Sequence, residues 1–159
     1  ANVNDLPVGL PTITGLAQEN QVLTTDTSGI SDADGLGAFN YQWYRDGSAI
    51  AGANAATYTT GDAHVGAQMS VQTSYTDGHG TNESVTSAQT AAVTNVNDAP
   101  TGSVTIDNTT PAEGDLLTAA NTLADEDGLG TITYTWKADG TTVGTGATYT
   151  LTQDRKSVV

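Results

Sequence analysis

The chain contains no cysteine, so neither a disulfide framework nor a thiolate metal site can hold it together, and a small secreted domain would need another staple. Positive charge is almost missing as well: four Lys+Arg stand against 18 Asp+Glu, a formal net charge of −14. A field of that sign repels nucleic acid and anionic membrane surfaces and attracts multivalent cations. We therefore expect metal ions among the partners and no nucleic acid. Aromatic residues make up only 6% of the chain, so any core is small and built from alternating strands. Nothing reads as a convincing amphipathic helix. No apolar run is long enough to span a bilayer and no signal-peptide pattern opens the sequence. The expectation is a soluble segment of something longer, without direct membrane insertion. The two histidines, His64 and His79, stand alone in different loops, which serves zinc or copper poorly.

What the chain does have is a repeat. Asn2-Val3-Asn4-Asp5 returns 93 residues later as Asn95-Val96-Asn97-Asp98, and Pro7 returns as Pro100. Asp32-Ala33-Asp34-Gly35-Leu36-Gly37 corresponds to Asp125-Glu126-Asp127-Gly128-Leu129-Gly130, Tyr41 and Trp43 to Tyr134 and Trp136, and Asp46-Gly47 to Asp139-Gly140. The offset slips to 91 at Thr57-Tyr58-Thr59 and Thr148-Tyr149-Thr150, where the second copy has a shorter loop, the kind of change repeats tolerate. Residues 1–94 form one complete copy. Residues 95–159, opened by a linker at 95–100, form a second copy that is C-terminally truncated.

Within each copy the apolar residues alternate with period two. Phe39, Tyr41 and Trp43 face inward, as do Ile132, Tyr134 and Trp136, while Met69, Val71, Thr73 and Tyr75 form another such set. Asp46-Gly47, Asp77-Gly78 and Asp139-Gly140 suit hairpin turns. About seven strands in roughly 90 to 100 residues, with a core tryptophan on the third, is the size of an immunoglobulin-like sandwich. The predicted fold is all-β: tandem immunoglobulin-like, Greek-key β-sandwiches, the second incomplete.

The pattern Tyr41-Gln42-Trp43, Asp46-Gly47, Ile50, Gly52, Thr57-Tyr58-Thr59, Asp62 and Gly66 resembles bacterial immunoglobulin-like repeats. Copies ending in Asn-Val-Asn-Asp-Ala-Pro, as at residues 95–100, look like extender repeats of giant repeats-in-toxin (RTX) adhesins. The linker and the Asp-Ala-Asp-Gly loop are similar to the calcium-binding signatures of cadherins, although Asn2 and Asn95 stand where the cadherin linker opens with Asp. The resemblance implies a spacer in a secreted, extracellular bacterial surface adhesin, stiffened by calcium and active in cell adhesion and biofilms. Its partners are neighbouring repeats of the same chain.

In such a sandwich the first strand starts at the pole where the loops after the second and sixth strands emerge. The linker residues therefore meet the acidic loop: Asn4 and Asp5 with Asp32 and Asp34 in the first copy, and Asn95, Asn97 and Asp98 with Asp125 and Asp127 in the second. Glu19 in the first hairpin loop and Asp62 before the sixth strand lie at the far pole of the first copy, which is expected to face the linker and acidic loop of the second, so that oxygen ligands converge there from three segments. Calcium takes roughly six to eight hard oxygens, mixing carboxylates with amide and backbone carbonyls, and these loops supply that set. Asp77 has a smaller claim than a hairpin turn does.

Trp43 and Trp136 could stack on sugars, but their shared place in an alternating strand marks them as core. That leaves a carbohydrate- or protein-binding module as the alternative function. No nucleophile, base and orienting group recur together, and carboxylates at an open loop pole lack the burial that tunes acid and base pairs, so an enzyme is not expected. The second copy, short of its last strands, would expose open edges that invite pairing with other copies.

Overall fold

The computed structural model describes residues 3–152; Asn2, and the stretch 154–159 where the second copy departs from the first, lie outside the described residues. The chain divides into two compact units, Ala1–Val96 and Asn97–Val159. The division falls just beyond the expected boundary at 94, because the residues that lead out of unit 1 are tied to it. Thr94 exchanges backbone hydrogen bonds with Ala17 and Glu19, and the Val96 amide donates to Glu19 Oε2 at 3.0 Å. No helix among the described residues is long and apolar enough to cross a membrane.

Unit 1 contains seven strands: β1 Thr12–Thr14, β2 Val22–Asp26, β3 Asn40–Arg45, β4 Ser48–Ala49, β5 Thr57–Thr59, β6 Met69–Thr76 and β7 Asn82–Thr86. They form two antiparallel sheets, β1-β2-β5 and β4-β3-β6-β7, consistent with a β-sandwich. The period-two pattern decides what each strand buries. Met69, Val71, Thr73 and Tyr75 are all enclosed, as the alternation predicts. Leu23 from the first sheet and Trp43, Met69 and Val71 from the second meet in one core, with Ala53 and Val93. Trp43 spans that core, fully buried, and its indole N–H donates to the Ala55 carbonyl at 2.9 Å, so its one polar atom is satisfied. Asp46 and Gly47 join β3 to β4 with φ of 45° and 80°, the positive pair that a two-residue type I′ hairpin requires.

Unit 2 repeats the first five strands: β8 Val104–Ile106, β9 Leu116–Asn121, β10 Thr135–Ala138, β11 Thr141–Thr145 and β12 Thr148–Thr150. The sheet β12-β9-β8 and the ribbon β10-β11 correspond to β5-β2-β1 and β3-β4. Leu117 opposes Tyr149 as Leu23 opposes Tyr58. The Trp136–Tyr149 rings lie 5.7 Å apart at 28°, against 5.8 Å and 30° for Trp43–Tyr58. Trp136 donates to the Gly146 carbonyl at 2.9 Å. Asp139 and Gly140 adopt φ of 47° and 80°, the same turn as Asp46-Gly47.

One expectation needs correction. Ile132 does not face inward: β10 begins only at Thr135 and Ile132 is 36% exposed. Its counterpart Phe39 packs edge-on against Tyr75 of β6 at 5.4 Å, and no strand corresponding to β6 covers Ile132 among the described residues. Asp77-Gly78 does open the hairpin between β6 and β7, but its loop is longer than those at 46–47 and 139–140. β6 and β7 close their ladder at Thr76 opposite Asn82, so a five-residue loop, 77–81, joins them.

Candidate cation site

At one pole of unit 1 three chain segments converge. The incoming residues before β1 are anchored by the reciprocal bridge between Val8 and Ser31. This sets the Asp5 amide against the loop after β2, where it donates to Asp34 Oδ2 at 2.7 Å. That loop is a tight Asx turn: Asp32 Oδ1 accepts from the Asp34 amide at 2.8 Å, and the Asp32 carbonyl accepts from Gly35. The loop after β6 closes the third side, its Gly78 amide donating to the Asp34 carbonyl at 3.0 Å. A Cβ at Gly78 would stand 2.5 Å from that carbonyl oxygen, so only glycine permits the approach.

Carboxylates crowd this pole. Asp34 is buried to 8% exposure and Asp77 to 6%. Asp32 Oδ2 accepts from the Tyr75 hydroxyl at 2.6 Å, Asp34 Oδ1 lies 3.1 Å from His79 Nδ1, and Glu83 of β7 accepts from Asn4 Nδ2 at 2.7 Å. Asp77 Oδ1 accepts from the His79 and Thr81 amides, each at 2.8 Å. These bonds, the Thr81 amide foremost, hold its carboxyl below the ordinary range, while burial and the charge of Asp34 push the other way. Burial, then the bond to Asp32, raises the Tyr75 hydroxyl well above its usual value, so that group stays a neutral donor. Asp77 Oδ2 is buried with no hydrogen-bond partner. An ionised carboxylate oxygen withdrawn from water and left unpaired is costly; a cation is the partner that would reverse that cost.

Unit 2 rebuilds two of the three segments. The Asp98 amide donates to Asp127 Oδ2 at 2.7 Å, the Asp127 backbone amide donates to Asp125 Oδ1 at 3.0 Å, and the Thr101–Ala124 bridge takes the place of Val8–Ser31. A pocket of about 270 Å³ opens there, lined by Asp98, Ala99, Thr101, Ala124, Asp125 and Glu126. Asp98 Oδ2 is out of solvent without a hydrogen-bond partner.

The structure thus brings together Asn4, Asp5, Asp32 and Asp34 in unit 1, and Asp98, Asp125 and Asp127 in unit 2. Asp5 and Asp98 engage their loops through backbone amides. Asn97 Nδ2 donates to the Asp98 carbonyl at 2.9 Å and makes no contact with the acidic loop among the hydrogen bonds described. Glu19 and Asp62 are at the other end of unit 1, with carboxylate oxygens within 4.8 Å of each other. Glu19 is almost fully buried, and its Oε2 receives the Val96 amide next to Asn95. Asp62 opens a single 3-10 turn, Asp62–His64, and is exposed.

Asp77, to which the sequence gives only a smaller claim, and Glu83, which it does not single out, also lie at this pole. Asp77-Gly78 looked like a hairpin turn, yet the residues after it, His79-Gly80-Thr81, delay the return of strand alternation to Asn82, which a two-residue turn would not. Glu83 carries no such signal; it lies on the more buried face of β7, opposite Tyr75, and meets the incoming linker through Asn4.

The side chains at this pole offer oxygen and no sulfur, the donor chemistry calcium prefers, although no three carboxylates there lie within 4.8 Å of one another among the described residues. Comparison with protein-family models, with curated proteins and with solved structures found no match for this chain.

Proposed function

We propose that this chain is a run of structural spacer repeats from a secreted bacterial surface adhesin, with immunoglobulin-like Greek-key sandwiches that bind calcium where the linker enters each repeat. The observation that carries this reading is the duplicated latch, Asp5 to Asp34 and Asp98 to Asp127, at the same 2.7 Å. A catalytic centre has no need to recur in every repeat. A joint does, because each linker must be fixed to its own sandwich.

In unit 1, Asn4, Asp5, Asp32 and Asp34, with Asp77 at the same pole, would hold the ion by drawing together, since among the described residues no three carboxylates there already stand within 4.8 Å of one another. Calcium neutralises carboxylates that otherwise repel one another by about 1 kcal/mol per pair at 4 Å in bulk water, and more where desolvated. The linker amide is held by the same Asp34 carboxylate, so ordering that side chain also fixes the linker. A series of such joints makes an extended, stiff rod whose work is to project a distal binding domain. The buried positions of Trp43 and Trp136 support core packing over a sugar platform.

The test is thermal unfolding and small-angle scattering of the chain in calcium and in chelator. Saturation at 100 times the dissociation constant should add about 2.7 kcal/mol for a single site, with a higher Tm and a longer, stiffer particle. Identical curves in calcium and chelator would reduce the acidic loops to solvated surface.

A further inference from the structure

We infer that Tyr75 is a positioning residue of the unit 1 cation pole: its hydroxyl, reaching out of the core, holds the Asp32 carboxylate in the orientation a bound calcium ion uses. The inference rests on the calcium reading proposed above and adds to it a residue that contributes no ligand of its own.

Tyr75 is the last of the enclosed alternate positions of β6, after Met69, Val71 and Thr73, and the strand ends one residue later at Thr76. The side chain therefore has the core behind it and the acidic pole ahead. It is 2% exposed and stands edge-on to Phe39 with ring centroids 5.4 Å apart, so packing fixes the ring. A buried phenol needs a partner for its hydroxyl, and this one donates to Asp32 Oδ2 at 2.6 Å. A bond to a carboxylate is roughly twice as strong as one between neutral groups.

Asp32 is thereby held at both oxygens. Oδ2 takes the Tyr75 hydroxyl, while Oδ1 takes the Asp34 amide at 2.8 Å, and each oxygen keeps a second lone pair for an ion. Asp34 is tied to the same end of β6 through its carbonyl, which accepts from the Gly78 amide at 3.0 Å. Both aspartates of the loop are thus referred to one strand end, Asp32 by a side chain and Asp34 by its backbone. Among the described residues no three carboxylates of this pole lie within 4.8 Å of one another, so binding has to gather them, and a carboxylate already fixed gives the others a point to gather on. Hydrogen bonds of this outer kind orient ligands before the ion arrives, and losing one typically costs a metal site about 10- to 100-fold in affinity. A core tyrosine whose hydroxyl merely finds an acceptor would leave calcium affinity untouched when the hydroxyl is removed.

The experiment titrates calcium chloride into the intact chain and into Tyr75→Phe, following the Asp34 and Gly35 amides by NMR so that unit 1 is read by itself. Phenylalanine keeps the ring and its contact with Phe39, which isolates the hydroxyl. The calcium affinity of unit 1 should fall about tenfold. In chelator the Asp34 amide, held by the oriented Asp32 carboxylate, should exchange faster in the variant than in the parent chain. In an Asp32→Ala background Tyr75→Phe should weaken calcium binding no further, the non-additivity of two residues that act through one contact. Unchanged affinity in Tyr75→Phe, unchanged exchange at Asp34, or losses from the two substitutions that simply add would overturn the inference and leave calcium binding in place. So would a Tm lowered equally in calcium and in chelator, the mark of a structural role alone. Unit 1 amides of the parent chain that ignore calcium would overturn the inference together with the calcium reading.

Discussion

Units 1 and 2 share their first five strands, the tryptophan–tyrosine pair, the type I′ turn and the linker latch, but only unit 1 has β6 and β7 among the described residues. That difference separates two things a repeat needs. The latch is assembled by the first half of the repeat, from the bridge before β1 and the Asx turn after β2, and it forms in both units at the same length. Burial of the acidic loop is supplied by the second half: Asp34 is enclosed under the loop after β6, whereas Asp127, its equivalent, is exposed. Linker attachment and carboxylate desolvation are thus built by different segments, and substitutions can separate them.

The largest contrast should come from the tryptophans. Trp43→Ala empties a site walled by both sheets and should cost unit 1 about 3–5 kcal/mol, the range for deleting a buried large aromatic. Trp136 is buried too, with the same kind of stacking partner and hydrogen bond, but no strand corresponding to β6 pairs beside it among the described residues, so Trp136→Ala should cost unit 2 nearer about 2 kcal/mol, the low end for emptying a core site. Urea unfolding read as two transitions checks this. Equal losses would mean that Trp136 is walled as completely as Trp43.

These contrasts also mark how far the sequence could be read. Period-two alternation and the 93-residue offset placed the tryptophans, the turns at 46–47 and 139–140, and the acidic loops, because each depends on local chemistry that repeats in register. Ile132 was misplaced because its burial depends on a strand far along the chain, and alternation reports a face without saying whether anything covers it. The burial of Asp77 was illegible for a related reason. The dipeptide Asp-Gly encodes a turn, but the loop length that turns this aspartate inward is visible only once Thr76 and Asn82 are seen to pair.

A second comparison should show no difference between the units. Gly9 and Gly102 have φ of 88° and 97°, and a Cβ at either would lie 2.0 Å from the Gly29 carbonyl oxygen or 2.3 Å from that of Thr122. Both contacts belong to the first half of the repeat, where the chain before β1 passes the loop after β2. Gly9→Ala and Gly102→Ala should each destabilise their own unit by about 1–3 kcal/mol through the forced backbone conformation alone, and both should weaken the latch. Losses that differ widely would show that the shared first half is not mechanically equivalent.

The smallest effect is the most specific. Asp26 in unit 1 and Asp107 in unit 2 are each held below the ordinary aspartate value of 3.8, chiefly by the Ser28 and Thr118 amides, and Asp77 is a third such group with no described counterpart in unit 2. Each is ionised more readily folded than unfolded, so its contribution to stability is complete above the unfolded value and is lost as pH falls through the lower folded value. In chelator, acidification below pH 3.8 should therefore weaken unit 1 more steeply than unit 2. Asp77→Asn keeps an oxygen for the Thr81 and His79 amides but removes the titrating charge, so it should flatten the acid limb of unit 1 towards that of unit 2. In calcium the same substitution should abolish most of the ion's stabilisation of unit 1. A flattened acid limb with calcium stabilisation intact would make Asp77 a loop cap alone and leave the ion to Asp32 and Asp34.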